Sequence, residues 1–173
     1  QTELTADGKI DLYAVLQALK QNSKIKVVYF QRSRGYAWRP ALACAEIEDA
    51  VREIKKQFPE MICVVDNCYG EFSEETEPSG ADVLIGSLIK NPGAGIAPTG
   101  GYIAGKKKYI DLIAQRLTCP GIGREIGSYA GSYLPFYQGL YFAPHVVAEA
   151  LKGAVLISAV FEKLGCEVYP KWE

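Results

Sequence analysis

An acid and a lysine, Asp66 and Lys90, each follow a short apolar segment of this 173-residue chain. The two segments, residues 61–65 and 83–89, are rich in Val, Ile and Leu, which is typical of parallel strands that are buried on both faces. Open α/β sheets bind ligands at the carboxyl ends of their strands, so both side chains are candidates for one site. A lysine that can hold an aldehyde and an acid that keeps a ring nitrogen protonated suit the chemistry of pyridoxal phosphate.

The elements that must position these two residues follow from the periodicity of the apolar residues. Apolar side chains recur at helical spacing in residues 11–20 and 44–58, and Pro59 ends the second of these helices. Helix and strand alternate in the first half, which predicts an α/β fold with right-handed crossovers, a mainly parallel sheet and flanking helices. Pro144 is placed in the first turn of a long final helix, where proline is tolerated. The predicted helices are 11–20, 44–58, 107–117 and 144–164, and the predicted strands are 24–31, 61–65, 83–89 and 101–105.

The composition excludes several classes of partner. A net charge of −1, with both signs interspersed, offers no electrostatic basis for binding nucleic acid. No unbroken apolar run approaches the roughly 18 residues of a membrane span, so we expect no membrane partner. Five cysteines without a C-x-x-C pair, together with a single histidine, argue against a disulfide framework and against a metal site. We expect a cytoplasmic protein.

Longer motifs around Asp66 and Lys90 resemble a known family. The motifs are Val65-Asp66-Asn67, Pro78, Gly80-Ala81-Asp82, Ser87-x-x-Lys90 and Gly100-Gly101-Tyr102-Ile103-Ala104-Gly105. They resemble the cystathionine and methionine metabolism branch of the fold-type I pyridoxal phosphate enzymes. Residues 31–36, 87–93 and 116–123 are similar to the methionine gamma-lyase-like group of that branch, whose members are also called aluminium resistance proteins.

The resemblance implies a role for four residues. Lys90 would hold pyridoxal 5'-phosphate and act as the catalytic base, and Asp66 would pair with the ring nitrogen. Ser87 would donate a hydrogen bond to the cofactor phosphate, and Tyr69 would place its phenol beside the 3-hydroxyl, with plain packing as the alternative for this tyrosine. The Lys90 amine must be neutral to attack an aldehyde, and we expect burial or a nearby positive charge to lower its pKa.

The loop that follows the first predicted strand offers candidates for binding the substrate. Arg32, Arg34 and Tyr36 lie there, again at the carboxyl end of a strand. Guanidinium groups suit a carboxylate or a phosphate. The sequence does not choose between Arg32 and Arg34, and a solvated loop is the alternative to a binding role.

The resemblance also implies how the chain fits into a larger protein. Residues 1–143 would be the central part of a cofactor-binding large domain of the aspartate aminotransferase type. Residues 144–173 would form a long helix leading toward a C-terminal small domain, and the phosphate-binding loop and ring-stacking aromatic residue would lie outside the chain. The implied activity is a carbon–sulfur lyase acting on a sulfur amino acid, in a homo-oligomer (dimer or tetramer). An aminotransferase, or a non-catalytic fragment that binds or assembles, is the alternative.

Overall fold

The computed structural model describes residues 1–117 and 119–171 as a four-stranded sheet with helices packed against it. Thr118, which belongs to one of the family-like motifs, and residues 172–173 lie outside the described residues. The helices are α1 (Leu12–Gln21), α2 (Cys44–Gln57), α3 (Lys107–Leu117) and α4 (Leu134–Lys163), with a short 3₁₀ helix at Asn91–Gly93. The strands are β1 (Val27–Gln31), β2 (Ile62–Asp66), β3 (Val83–Ser87) and β4 (Gly101–Gly105).

The strands lie in the order β1-β2-β3-β4, and the first three are parallel, which confirms the predicted α/β fold. Asp66 is in register with Gln31 on one side and with Ile85 on the other, so the three strands end at one edge of the sheet. β4 runs antiparallel to β3. A parallel return needs a long crossover, usually an α-helix, and residues 88–100 contain only the short 3₁₀ helix.

The main core lies between the sheet and the first two helices. Ile47, Val51 and Ile54 recur at helical spacing on α2, and all three are buried. This apolar stripe packs with β1 and β2, because the polar residues of α2 occupy its opposite face. Cys63 on β2 is fully buried as a small hydrophobe, and burial raises the pKa of its thiol to about 11.

The last helix starts earlier than predicted. α4 begins at Leu134, ten residues before Pro144, which therefore lies inside the helix and not in its first turn. Tertiary packing outweighs the proline here. Gly139 is buried so closely against the 3₁₀ helix that a Cβ atom would lie 2.5 Å from the carbonyl oxygen of Gly93. The proposed boundary between residues 143 and 144 accordingly falls within α4.

By length and composition α4 could cross a membrane. Its most apolar 18-residue window has a mean hydropathy of 1.4, and 11% of that window is buried in this structure. The sequence contains no unbroken apolar run of 18 residues. The helix reaches this hydropathy as an average over the window and not through a continuous apolar stretch. Core helices of water-soluble proteins meet the same criterion, and the absence of a membrane partner stays a prediction.

A buried aspartate lies at the other end of the sheet, where β3 begins. Asp82 is 1% exposed. Its carboxylate accepts hydrogen bonds from Lys55 Nζ at 2.6 Å, from Lys106 Nζ at 2.7 Å and from the backbone N–H of Cys63 at 2.8 Å. Burial raises the pKa of Asp82, but these partners outweigh burial and hold it below the ordinary value. The residue therefore stabilises the fold, far from the strand ends that carry Asp66.

We expect Asp82→Ala to lower the free energy of unfolding by about 3 kcal/mol, because it leaves two lysines and a buried N–H without their acceptor. Urea unfolding measures the change. The matched control is Asp49→Ala, which removes an exposed carboxylate of α2 and should cost less than about 1 kcal/mol. Equal losses in the two variants would contradict a stabilising role for Asp82.

Candidate active site

Asp66 is an ionised carboxylate at the end of β2. Its Oδ2 atom accepts a hydrogen bond from the Tyr29 hydroxyl at 2.7 Å, and its Oδ1 atom accepts one from the backbone N–H of Cys68 at 3.0 Å. Burial raises the pKa of Asp66, but these two hydrogen bonds, aided by the charge of Lys90, hold it below the ordinary value. The carboxylate is therefore available to hold a positive charge.

Lys90 follows β3 by three residues, because the strand ends at Ser87 and a tight turn carries the chain onward. The Lys90 N–H donates to the Ser87 carbonyl oxygen at 3.3 Å. The Lys90 ammonium lies over the Tyr69 ring, with Nζ 4.3 Å from the ring centroid. This is a cation–π contact, and it holds the amine beside the strand ends.

The prediction that the Lys90 amine would have a lowered pKa is wrong for this chain. Burial acts to lower the pKa, but the Cys68 thiol, the Tyr69 phenol and the Asp66 carboxylate act in the opposite direction and leave it raised. The amine is only partly buried, and the described residues that shift its pKa, Cys68, Tyr69 and Asp66, carry no positive charge. Lys90 is therefore an ammonium at neutral pH and must lose a proton before it can attack an aldehyde.

Tyr69 lies beside this amine, and the Ser87 carbonyl oxygen accepts the Lys90 backbone N–H. Tyr69 has a positive φ of 66°, which is uncommon for an aromatic residue, and its side chain is 61% exposed, so it does not serve as a core packing residue. Strained backbone of this kind is frequent at functional sites. Ser87 is half-buried, and within residues 1–117 and 119–171 no hydrogen bond to its hydroxyl is formed.

Arg32 is held by acidic residues of this chain. The residue is 2% exposed, and its guanidinium donates to Asn67 Oδ1 at 2.7 Å, to Glu74 Oε1 at 2.7 Å and to Glu77 Oε2 at 3.0 Å. Two carboxylates already balance its charge. The arrangement makes Arg32 a group that orders the loop after β2, and the contact with a substrate stays a prediction.

Arg34 is half-buried, while Tyr36 extends fully into solvent. The Arg34 guanidinium carbon lies 5.0 Å from the centroid of the Tyr169 ring. Its Nη1 atom is buried, and among the described residues it has no hydrogen-bond partner. Arg34 and Tyr69 line one cavity of about 280 Å³, and Tyr69 also lines a second cavity of about 320 Å³ that contains Lys90. Tyr69 therefore lines both the cavity that contains Arg34 and the cavity that contains Lys90.

Tyr29 contacts Asp66 but is not among the site residues predicted from the sequence. Burial, together with the hydrogen bond to Asp66, raises the pKa of its phenol to about 12, so it stays a hydrogen-bond donor. Tyr29 reaches Asp66 because β1 and β2 are adjacent and parallel, with Gln31 opposite Asp66. The period-2 pattern of β1 offered a weak signal, since an exposed tyrosine two residues before the strand end lies on the same face as the end.

A family model described as methionine gamma-lyase matches residues 1–173. The chain belongs to the methionine gamma-lyase family. It is 52% identical over 173 residues to the protein YnbB of Bacillus subtilis, a match that covers 99% of this chain and 41% of YnbB. The chain thus spans well under half the length of this relative.

Solved structures agree with the family assignment. A carbon–sulfur lyase involved in aluminium resistance from Clostridium novyi is 49% identical, with a TM-score of 0.94, and the match covers all of this chain and 41% of that one. The pyridoxal-5'-phosphate-dependent protein YhfS of Escherichia coli is 16% identical, with a TM-score of 0.60 over 88% of this chain, and supports the fold alone. Across the described residues, no group of three or more His, Cys, Asp or Glu side chains could hold a metal ion.

Proposed function

We propose that the full-length protein is a pyridoxal phosphate-dependent carbon–sulfur lyase that acts on a sulfur amino acid. The observation that carries this proposal is the placement of an ionised Asp66 at the end of β2 and of Lys90 three residues after the neighbouring parallel strand β3, where the charge of each shifts the pKa of the other. Membership of the methionine gamma-lyase family supports it. So does the similarity to a Clostridium novyi protein described as a carbon–sulfur lyase.

The residues present fit this cofactor. The Asp66 carboxylate, kept ionised by two donors, suits a protonated ring nitrogen, and the Lys90 amine suits the aldehyde. The free hydroxyl of Ser87 suits a phosphate oxygen. Pyridoxal phosphate bound by these groups would supply an electron sink for the electrons of a broken Cα–H bond.

Each side chain of the site would then have its own role. Asp66 holds a positive charge in place, and Tyr29 together with the Cys68 N–H keeps its carboxylate oriented. Lys90 Nζ is the group positioned to accept a proton from the substrate α-carbon, once the ammonium has lost its own proton. The Tyr69 ring limits where that amine can move, because the two are in cation–π contact.

The test is to supply the full-length protein with cofactor and a sulfur amino acid and to identify the products. A lyase releases ammonia, a 2-keto acid and a thiol or sulfide. Transfer of the amino group to a second keto acid, without release of sulfur, would instead support an aminotransferase. If the protein binds no cofactor and forms neither product, the lyase proposal fails and a non-catalytic role remains.

Arg34 is the better candidate for the substrate carboxylate, because it has an unpaired Nη1 atom whereas Arg32 is neutralised. We expect Arg34→Ala to raise KM about 10-fold with little change in kcat or stability, since a hydrogen bond to a charged group contributes about 1.5–3 kcal/mol. Arg32→Ala should instead lower the midpoint of urea unfolding. The control is Arg52→Ala on the exposed face of α2. An unchanged KM in Arg34→Ala would assign the carboxylate to another residue.

We also propose that the protein is a cytoplasmic homo-oligomer, either a dimer or a tetramer. Large apolar side chains cover much of α4 and are exposed in this chain, including Tyr137, Tyr141 and Leu156. Exposed apolar surface of this extent favours burial against more protein. Sedimentation velocity of the full-length protein measures the oligomeric state, and a monomer at micromolar concentration would contradict this proposal.

A further inference from the structure

An asparagine follows each of the two central residues of the site: Asn67 follows Asp66, and Asn91 follows Lys90. Both asparagine side chains reach the acidic loop, residues 71–77. Asn91 Nδ2 donates to the carbonyl oxygen of Glu71 at 2.9 Å. The Asp66 side and the Lys90 side of the candidate site are therefore both hydrogen-bonded to the acidic loop.

Tyr102 on β4 completes the connection on the Asp66 side. Asn67 Nδ2 donates to the Tyr102 hydroxyl at 3.2 Å and to Glu77 Oε2 at 2.8 Å. The Tyr102 hydroxyl in turn donates to Glu71 Oε1 at 2.8 Å. A chain of hydrogen bonds thus runs from Asn67 through Tyr102 to the Glu71 side chain, and from the Glu71 carbonyl to Asn91.

The backbone is shaped to admit this pair. Gly86 on β3 packs against both side chains, and a Cβ atom there would lie 2.5 Å from Glu71 Oε1 and would also overlap the Tyr102 ring. Any larger residue would push the carboxyl group and the phenol out of their places. Gly86 is therefore required by close packing, since its position has no positive φ.

Glu71 is buried, and in the part of the chain that the structure describes it forms no ion pair. The residue is 4% exposed, and its Oε2 atom is buried with no partner within residues 1–117 and 119–171. The neighbouring Arg32 is already shared by Glu74 and Glu77. Burial raises the pKa of Glu71, and the charge of Glu77 adds to this. The hydrogen bond from Tyr102 and the charge of Arg32 act in the opposite direction, and the pKa stays above its ordinary value.

We propose that Glu71 and Tyr102 are positioning residues that hold Asp66 and Lys90 at a fixed separation through Asn67 and Asn91. Neither residue touches the reacting atoms. Their effect on turnover rests on the proposed function, whereas their effect on the Lys90 amine does not. The role requires an acceptor at the Oε1 position and no charge, so glutamine should perform it, because its amide has the same shape and still accepts a hydrogen bond from Tyr102.

The experiment measures how fast the Lys90 amine of the cofactor-free full-length protein reacts with an amine-modifying reagent as pH is varied, with peptide mass spectrometry locating the label. Tyr102→Phe and Glu71→Leu break the connection. They should move the pH midpoint of Lys90 labelling downward, because the amine moves away from the groups that raise its pKa. Glu71→Gln should behave as the unmodified protein does. Exposed Lys24 in each sample reports any change in the reagent.

Two controls separate positioning from general stability. Tyr109→Phe removes a phenol outside the network and should leave Lys90 unchanged. Asn91→Ala removes only the hydrogen bond on the Lys90 side and changes a half-buried residue. The test therefore remains usable if Tyr102→Phe does not fold. Asn91→Ala should shift the Lys90 midpoint in the same direction as Tyr102→Phe.

Three results would overturn the proposal. One is an unchanged Lys90 midpoint in Tyr102→Phe, Glu71→Leu and Asn91→Ala, even if these variants are less stable. Another is a Glu71→Gln variant that behaves like Glu71→Leu, which would mean that the charge of Glu71 is needed. The third is the same midpoint shift in Tyr109→Phe. The labelling needs neither cofactor nor turnover, so a protein that proves not to be a lyase leaves the outcome interpretable.

Discussion

Lys90→Ala should reduce the release of 2-keto acid by the full-length protein by about 10⁴-fold or more, because it removes both the attachment point of the cofactor and the proton acceptor. The variant should remain folded, since Lys90 is only partly buried and its side chain contributes a cation–π contact and, among the described residues, no ion pair within 4 Å. Initial rates with a sulfur amino acid measure the loss.

The control for this change is Lys108→Ala, which removes an exposed lysine of α3 and should leave turnover unaffected. Reduction of the cofactor-loaded protein with borohydride, followed by peptide mapping, should place the cofactor on Lys90. A label on Lys106 or Lys108 would contradict the assignment. Because the pKa of Lys90 is raised, attachment should also accelerate with pH, by about 10-fold per unit while the amine is mostly protonated.

The two central residues could be predicted because short-range information is enough to place them. An apolar run rich in β-branched residues predicts a buried strand, and the polar residue that ends it must lie at the sheet edge. This located Asp66, which ends β2. It located Lys90 only approximately, because β3 ends at Ser87 and the apolar residues that follow form a turn. Hydrophobicity alone does not distinguish a strand from a buried turn.

The partners of these residues could not be predicted, because they depend on the register between elements that are distant in sequence. Tyr29 meets Asp66 across 37 positions, and Tyr102 meets Glu71 across 31. Arg32 is another example. A guanidinium in a loop indicates a ligand-binding role in the sequence, but the fold brings Glu74 and Glu77 beside it. The pKa of Lys90 depends on such neighbours, which is why its direction was mispredicted.

The start of α4 was mispredicted for a similar reason. Proline is most often found in the first turn of a helix, so Pro144 indicated a start near that residue. The structure instead continues the helix back to Leu134, because Gly139 and Ala143 pack tightly in the interior, Gly139 against the Gly93 backbone. Contacts made by the residues before the proline offset the hydrogen bond that proline cannot donate.

Asp66→Asn should lower turnover of a sulfur amino acid by about 10²–10⁴-fold, the range that electrostatic and proton-transfer groups usually contribute. The amide keeps the shape of the side chain but loses the charge that holds a ring nitrogen protonated. Its NH₂ group would also face a second donor, either the Tyr29 hydroxyl or the Cys68 N–H. The cofactor should still bind, because Lys90 and Ser87 are unchanged. Absorbance of the bound cofactor and initial rates measure these two effects separately.

Acid pH supplies an independent check on Asp66. Its pKa is lowered in the fold, so the stability contributed by its hydrogen bonds is present above the unfolded value of 3.8 and is lost as pH falls through the folded pKa. Asp66→Asn should therefore lose less stability than the unmodified protein over that acid range. Tyr29→Phe removes one of the two hydrogen-bond donors to Asp66 and should lower turnover less than Asp66→Asn does. The matched control for Asp66→Asn is Asp49→Asn, which changes an exposed carboxylate of α2. Near-normal turnover in Asp66→Asn would mean that the ring nitrogen has another partner and that Asp66 does not carry the chemistry.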